Sequence, residues 1–137
     1  MNLKTHLEAY CSTFNDRSLD GVLDQFAEHA LFEMPLLGQR LFGRAEIAAG
    51  LRCIFEVTET ARLTFPEVVS SECVLIAEGQ LRGKLHRDEA PFTLVAAAVL
   101  EANAGKISRL STYLDARPYR LWSEGPIFAP AQIEARA

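Results

Sequence analysis

Apolar positions in the first half of the chain recur at steps of three and four. Leu3, Leu7, Tyr10, Cys11 and Phe14 fall on one stripe, which predicts a helix over residues 3–15. Asn15-Asp16-Arg17 interrupts the stripe. Ser18 suits an N-cap, and Leu19, Val22, Leu23 and Phe26 supply the buried face of a second helix. From Ala30 to Leu36 the period shortens to two. Phe32 and Met34 alternate with Leu31 and Glu33, as in a short strand before a turn at Gly38. Ile47, Leu51, Ile54 and Phe55 restore helical spacing over 43–56.

Four strands are then predicted, near 60–70, 73–86, 91–102 and 106–116. Pro66 has no N–H to donate, so the first of these is an edge or bulged strand. Asp88-Glu89 and Ala102-Asn103-Ala104-Gly105 are turn material, and the second turn closes an antiparallel hairpin. Pro118 ends the last strand. Tyr119, Leu121, Trp122, Ile127 and Phe128 are too apolar for a free tail and are expected to dock on the domain or on a partner. Helices cluster early and strands late. The expectation is a single α+β domain over 1–137, with a core to about 119 and a docked tail over 120–137. Three N-terminal helices would cover one face of a mostly antiparallel sheet.

Composition narrows the function classes. The chain has 137 residues, 49% apolar and 23% charged, enough for one real hydrophobic core. Its net charge is −4 and no Lys/Arg cluster stands out, which argues against a nucleic-acid partner. No apolar run of about 18 residues exists, so no membrane span is expected. The N-terminal residues lack the basic start and apolar block of a signal peptide. Cys11, Cys53 and Cys73 are scattered without CxxC spacing and read as reduced thiols of a cytoplasmic protein. His6, His29 and His86 are far apart, so no metal site is expected.

The element order and the segment NDRSLDGVLDQFAEHALFEMPLLGQRLFGRAEIAAGL (Asn15 to Leu51) resemble the ketosteroid isomerase and SnoaL-like polyketide cyclase group. This group lies within the nuclear transport factor 2-like superfamily, and limonene epoxide hydrolase shares its architecture. The stretch SRLSTYLDARPY (Ser108 to Tyr119) is similar to the group's closing strand. The resemblance implies a cone-shaped, cystatin-like roll whose curved sheet wraps a cavity. It implies a fold more than a function. The isomerase phenol falls on Tyr10. The isomerase base falls on Met34, whose thioether takes no proton near neutral pH, and its second oxyanion donor falls near Ala97. The hydrolase charge pattern would fall near Glu78, Gln80 and Thr112, where it is not matched. Asp115 lies near the cyclase base, but its parity points it outward.

The strand over 73–86 carries two unlike faces. One holds Cys73, Leu75, Ala77, Gly79, Leu81, Gly83 and Leu85; the other holds Val74, Ile76, Glu78, Gln80, Arg82, Lys84 and His86. The polar set faces solvent if the strand behaves as an ordinary amphipathic one. The register implied by the resemblance turns Glu78, Gln80 and Arg82 into the cavity instead, and the sequence leaves both open. In the second case Glu78 would move a proton, with Arg82 beside it, while Tyr10 polarises a carbonyl. Ligand walls would come from Phe14, Phe26, Phe32, Met34, Phe55, Val95, Ala97, Leu110 and Thr112, with Gln80 as a polar contact; core packing accounts for the same apolar set. Tyr113, Asp115 and Arg117 alternate on the last strand and suit a polar network or dimer contact. The expected protein is a homodimer joined through its sheet. It binds a small, mainly hydrophobic, oxygen-bearing molecule with no metal or cofactor. Three readings follow: an isomerase, cyclase or hydratase; a ligand-binding or accessory protein that has lost the catalytic carboxylates; or a dimerisation module.

Overall fold

The computed structural model describes residues 2–87 and 89–115. Arg117, Pro118, Tyr119, Trp122 and the rest of the tail lie outside them, as does Asp88.

Capping sets the first two helices. The Asn2 side chain accepts a hydrogen bond from the Thr5 N–H at 2.8 Å and starts Leu3–Asn15 (α1). Ser18 does the same for Gly21 at 3.1 Å and starts Leu19–Asp24 (α2). Between them Arg17 adopts φ 57, and its guanidinium lies 4.9 Å from the centre of the Phe55 ring. The same group donates to the carbonyl of Thr58 at 2.8 Å, tying the end of α1 to the end of Gly43–Val57 (α3). Phe26 opens the first strand rather than closing α2, which corrects its expected place.

The strands are Phe26–Met34 (β1), Gln39–Phe42 (β2), Thr58–Ser70 (β3), Leu75–Leu85 (β4), Pro91–Asn103 (β5) and Lys106–Leu114 (β6). They form one sheet in the order β2-β1-β6-β5-β4-β3. Every pairing is antiparallel except β1 with β6. The four-residue β2 was not foreseen, because the chain turns back through Pro35–Leu37 and Gly38, at φ 67, in too few residues to show a period. Pro66 falls in a register break of β3 between Thr64 and Glu67, and β3 is an edge strand. This break and those in β1 and β5 help the sheet to curve.

The three helices cover the concave face. Leu7, Tyr10 and Phe14 of α1 and Ile47, Leu51 and Ile54 of α3 meet the inner side chains of all six strands in one hydrophobic cluster. Phe26, Ile107 and Leu110 lose essentially all exposure; a fully buried side chain of this size stabilises by about 1.5–3 kcal/mol. No helix among the described residues is long and apolar enough to cross a membrane.

Candidate functional site

The inner face of the sheet is apolar along nearly its whole width. One row crosses it at the C-terminal end of β1. Gln39 is registered to Met34, and Thr112 to Ala98, which in turn is registered to Ala77. Met34 lies one step beyond the Glu33–Ser111 pair, which sets it beside Thr112. Gln39, Met34 and Thr112 are all buried. Phe32, Leu41 and Leu110 form the adjoining row.

Tyr10 reaches the same interior from α1. Its ring meets Phe26 edge-on at 5.9 Å and Phe14 at 6.1 Å, and Phe26 leads on to Phe32 at 6.0 Å. Tyr10 is 2% exposed. Burial pushes its pKa up, so the phenol keeps its proton and is available as a hydrogen-bond donor. Among the described residues, no group accepts from it or donates to it. The Thr112 hydroxyl is likewise without a partner there. Gln39 is the sharpest case: it is 1% exposed, and neither Oε1 nor Nε2 has a hydrogen-bond partner. Three polar side chains with unused bonding capacity thus sit in an apolar interior. Besides Tyr10, the described buried polar side chains are His6, Gln39, Thr58, Ser111 and Thr112, and none is a carboxylate.

The structure resolves the two readings of β4. Leu75, Ala77, Leu81 and Leu85 are buried, whereas Ile76, Glu78, Arg82 and Lys84 are exposed. Glu78, Arg82 and Gln80 therefore lie on the outer face, away from Tyr10, and the expected carboxylate-and-arginine pair in the cavity is corrected. This is the arrangement of an ordinary amphipathic strand, apolar set in and polar set out, and the inner set also carries two glycines that lie close to β3. A Cβ on Gly79 would stand 1.8 Å from the Thr64 carbonyl oxygen, and one on Gly83 would stand 1.9 Å from that of Thr60. Only a face with glycines can pass so close under β3. Val95 and Ala97 share the outer face through their pairing with Gln80 and Glu78, and Val95 is 73% exposed. Neither is an inner wall, which corrects both. Phe14, Phe26, Phe32, Met34, Leu110 and Thr112 do face the interior. Phe55 is half-buried at its margin, 5.4 Å from Phe14.

The described concavities are surface grooves. One of about 450 Å³ on the outer face brings Arg62, Arg82 and Lys84 together with Gln80. Another, of about 400 Å³, runs between α1 and β3 and includes Cys11, whose thiol burial pushes up to about 12. A third, of about 540 Å³, lies by His6 and the β5–β6 turn. Glu33, Arg109, Glu101 and Ser111 form a polar network on the outer face. Arg109 bridges Glu101 at 2.6 Å, and the Ser111 hydroxyl donates to Glu33 at 2.8 Å. Gln39 was missed in the sequence because its strand was missed; a polar residue in alternation with Leu41 was the available signal.

Comparison with solved structures places the fold. The chain superposes with a TM-score of 0.76 on TerC co-crystallised with polyporic acid, at 20% identity over 85% of this chain and 94% of that one. A polyketide cyclase-like protein of Xanthomonas campestris gives a TM-score of 0.74 at 20% identity, covering 85% of this chain and 92% of that one. A protein of ketosteroid isomerase-like fold from Catenulispora acidiphila, in complex with trimethylamine, gives 0.73 at 14% identity, covering 96% and 90%. No curated protein matches the chain significantly. Residues 7–110 match the SnoaL-like domain, and with the curved six-stranded sheet and its three covering helices this makes the chain a member of the SnoaL-like, nuclear transport factor 2-like family.

Proposed function

We propose that this protein binds a small, mainly hydrophobic, oxygen-bearing molecule between its helices and the inner face of its sheet. One observation carries the reading: the hydroxyls of Tyr10 and Thr112 have no partner among the described residues and lie on an apolar inner face. An unpaired buried polar group costs about 1–3 kcal/mol. A bound molecule recovers that cost, and a few polar groups among apolar walls are the usual make-up of a small-molecule site. Structural neighbours with small organic molecules bound are consistent with it.

Binding is favoured over isomerase-type catalysis by the chemistry of the lining. Proton abstraction next to a carbonyl needs a base within reach. Met34 stands at the base position of the resemblance, and the buried polar side chains named above include no carboxylate. The phenol of Tyr10 polarises a ligand carbonyl without taking a proton from carbon. A metal or cofactor is not needed for this role.

The test compares acetonaphthone with naphthalene by calorimetric titration. Tyr10→Phe should weaken the ketone about three- to tenfold, the value of one buried hydrogen bond, and leave naphthalene unchanged. Glu78→Gln, on the outer face, should change neither. Binding of neither compound to the unaltered protein would end the pocket reading.

A further inference from the structure

Most lysines and arginines of the described residues are matched. Arg17, Arg44 and Lys106 donate to backbone carbonyls, Arg40 and Arg109 pair with carboxylates, and Arg87 is also engaged. Arg62, Arg82 and Lys84 are not. Among the described residues, no hydrogen bond or ion pair involves their side chains. All three line the outer-face groove of about 450 Å³. Arg62 is registered to Arg82, and Lys84 follows two residues on along the same face of β4. Registered side chains stand about 5 Å apart and the next on the same face about 7 Å along, so the register gathers cations that are scattered in the chain. Like charges set directly opposite destabilise a sheet. A chain of net charge −4 has carboxylates to spare, yet none of the described residues lining the groove is one. The rest of the lining suits an oxyanion as well. The hydroxyls of Thr60 and Thr93 and the amide of Gln80 supply neutral donors. The Thr60 oxygen already accepts from the Lys84 N–H at 3.1 Å, which leaves its O–H to donate.

We infer that this groove is a second binding site, independent of the interior, for a phosphorylated small molecule. Arg62 and Arg82 fork onto phosphoryl oxygens, and Lys84 adds a point charge. A phosphoryl group presents three oxygens to the three cations, where a carboxylate presents two. The groove is larger than a phosphate ion and has room for the organic part of the ligand. Nucleic acid fits less well, because the basic side chains do not continue along the face. The next registered pair beyond Thr64 and Gln80 is Glu67 with Glu78.

The test titrates phenyl phosphate into the protein by calorimetry at fixed ionic strength. Arg82→Gln should weaken binding at least about fivefold, the loss of a charge-assisted hydrogen bond. Arg62→Gln should do the same, and Arg82→Lys should keep part of the affinity. Both arginines are exposed, so the fold does not depend on them. Arg52→Gln, which removes an exposed and unpaired charge from α3, should leave binding unchanged. No binding to the unaltered protein, or an equal loss in Arg52→Gln, overturns the inference. So does inorganic phosphate binding as tightly as phenyl phosphate, which reduces the groove to a site for an adventitious ion only. Binding weakened by Tyr10→Phe and not by Arg82→Gln moves the ligand to the interior, which overturns the groove and spares the pocket reading. Binding that appears only after Glu67→Gln and Glu78→Gln gives the groove to a second copy of the chain and overturns the inference too.

Discussion

His6 is 2% exposed near the start of α1, and burial is the main cause that lowers its pKa from 6.5, with the positive charge of Lys106 adding to it. The folded state therefore binds fewer protons at this residue than the unfolded chain does. Stability linked to His6 is intact above the unfolded value of 6.5. It declines as pH falls from there toward the lower folded value, and levels off below that. The melting temperature should drop on going from about pH 7 to about pH 5, and drop less in His6→Gln. Equal pH slopes in the two proteins would remove His6 as a contributor. Tyr10 raises the same accounting for a different group: its buried phenol stays neutral across this range, so its role as a donor does not titrate.

At the scale of elements, the approach of β3 over β4 does the most to shape the inner surface. Gly79 and Gly83 lie under the carbonyls of Thr64 and Thr60, and the contact is with backbone, which cannot swing aside as a side chain can. Gly79→Ala should destabilise the protein by about 1–3 kcal/mol or more, since relief requires shifting a strand. Chemical denaturation with an unchanged m-value would check this, and a loss below about 0.5 kcal/mol would contradict the close approach. The sequence left the direction of β4 open because its amphipathic pattern and the register implied by the resemblance pointed opposite ways. Alternation showed two faces, but nothing local shows that a neighbouring backbone needs the glycines. Pro66 was more legible: a residue without an N–H predicts an edge or a bulge, and β3 has both.

On the scale of the whole molecule, no helix of the described residues covers the outer face of the sheet. It exposes Val69, Ile76 and Val95 at 74%, 51% and 73%. Glu67 is registered to Glu78 toward one end of β4, and Arg62 to Arg82 toward the other. A two-fold axis lying in this face across the strands sets the acidic end of one copy against the basic end of the other, with Val95, registered to Gln80, between them. We therefore retain the homodimer as a proposal. Val95→Glu should halve the mass measured by light scattering at micromolar concentration. A monomeric unaltered protein would rule the dimer out. The groove holding Arg62, Arg82 and Lys84 would lie at the margin of this interface.

Apart from β2 and the start of β1, the order of helices and strands, the α+β class and the inward stripe of α1 with Tyr10 were legible from periodicity and capping alone. These are local signals, carried by residues a few positions apart. Which face of β4 lines the interior was decided in three dimensions in favour of the ordinary amphipathic pattern, with the apolar set inward, over the register implied by the resemblance. The isolation of Gln39 was decided there too: an unpaired amide is a property of what packs around it, and its strand was too short to show a period.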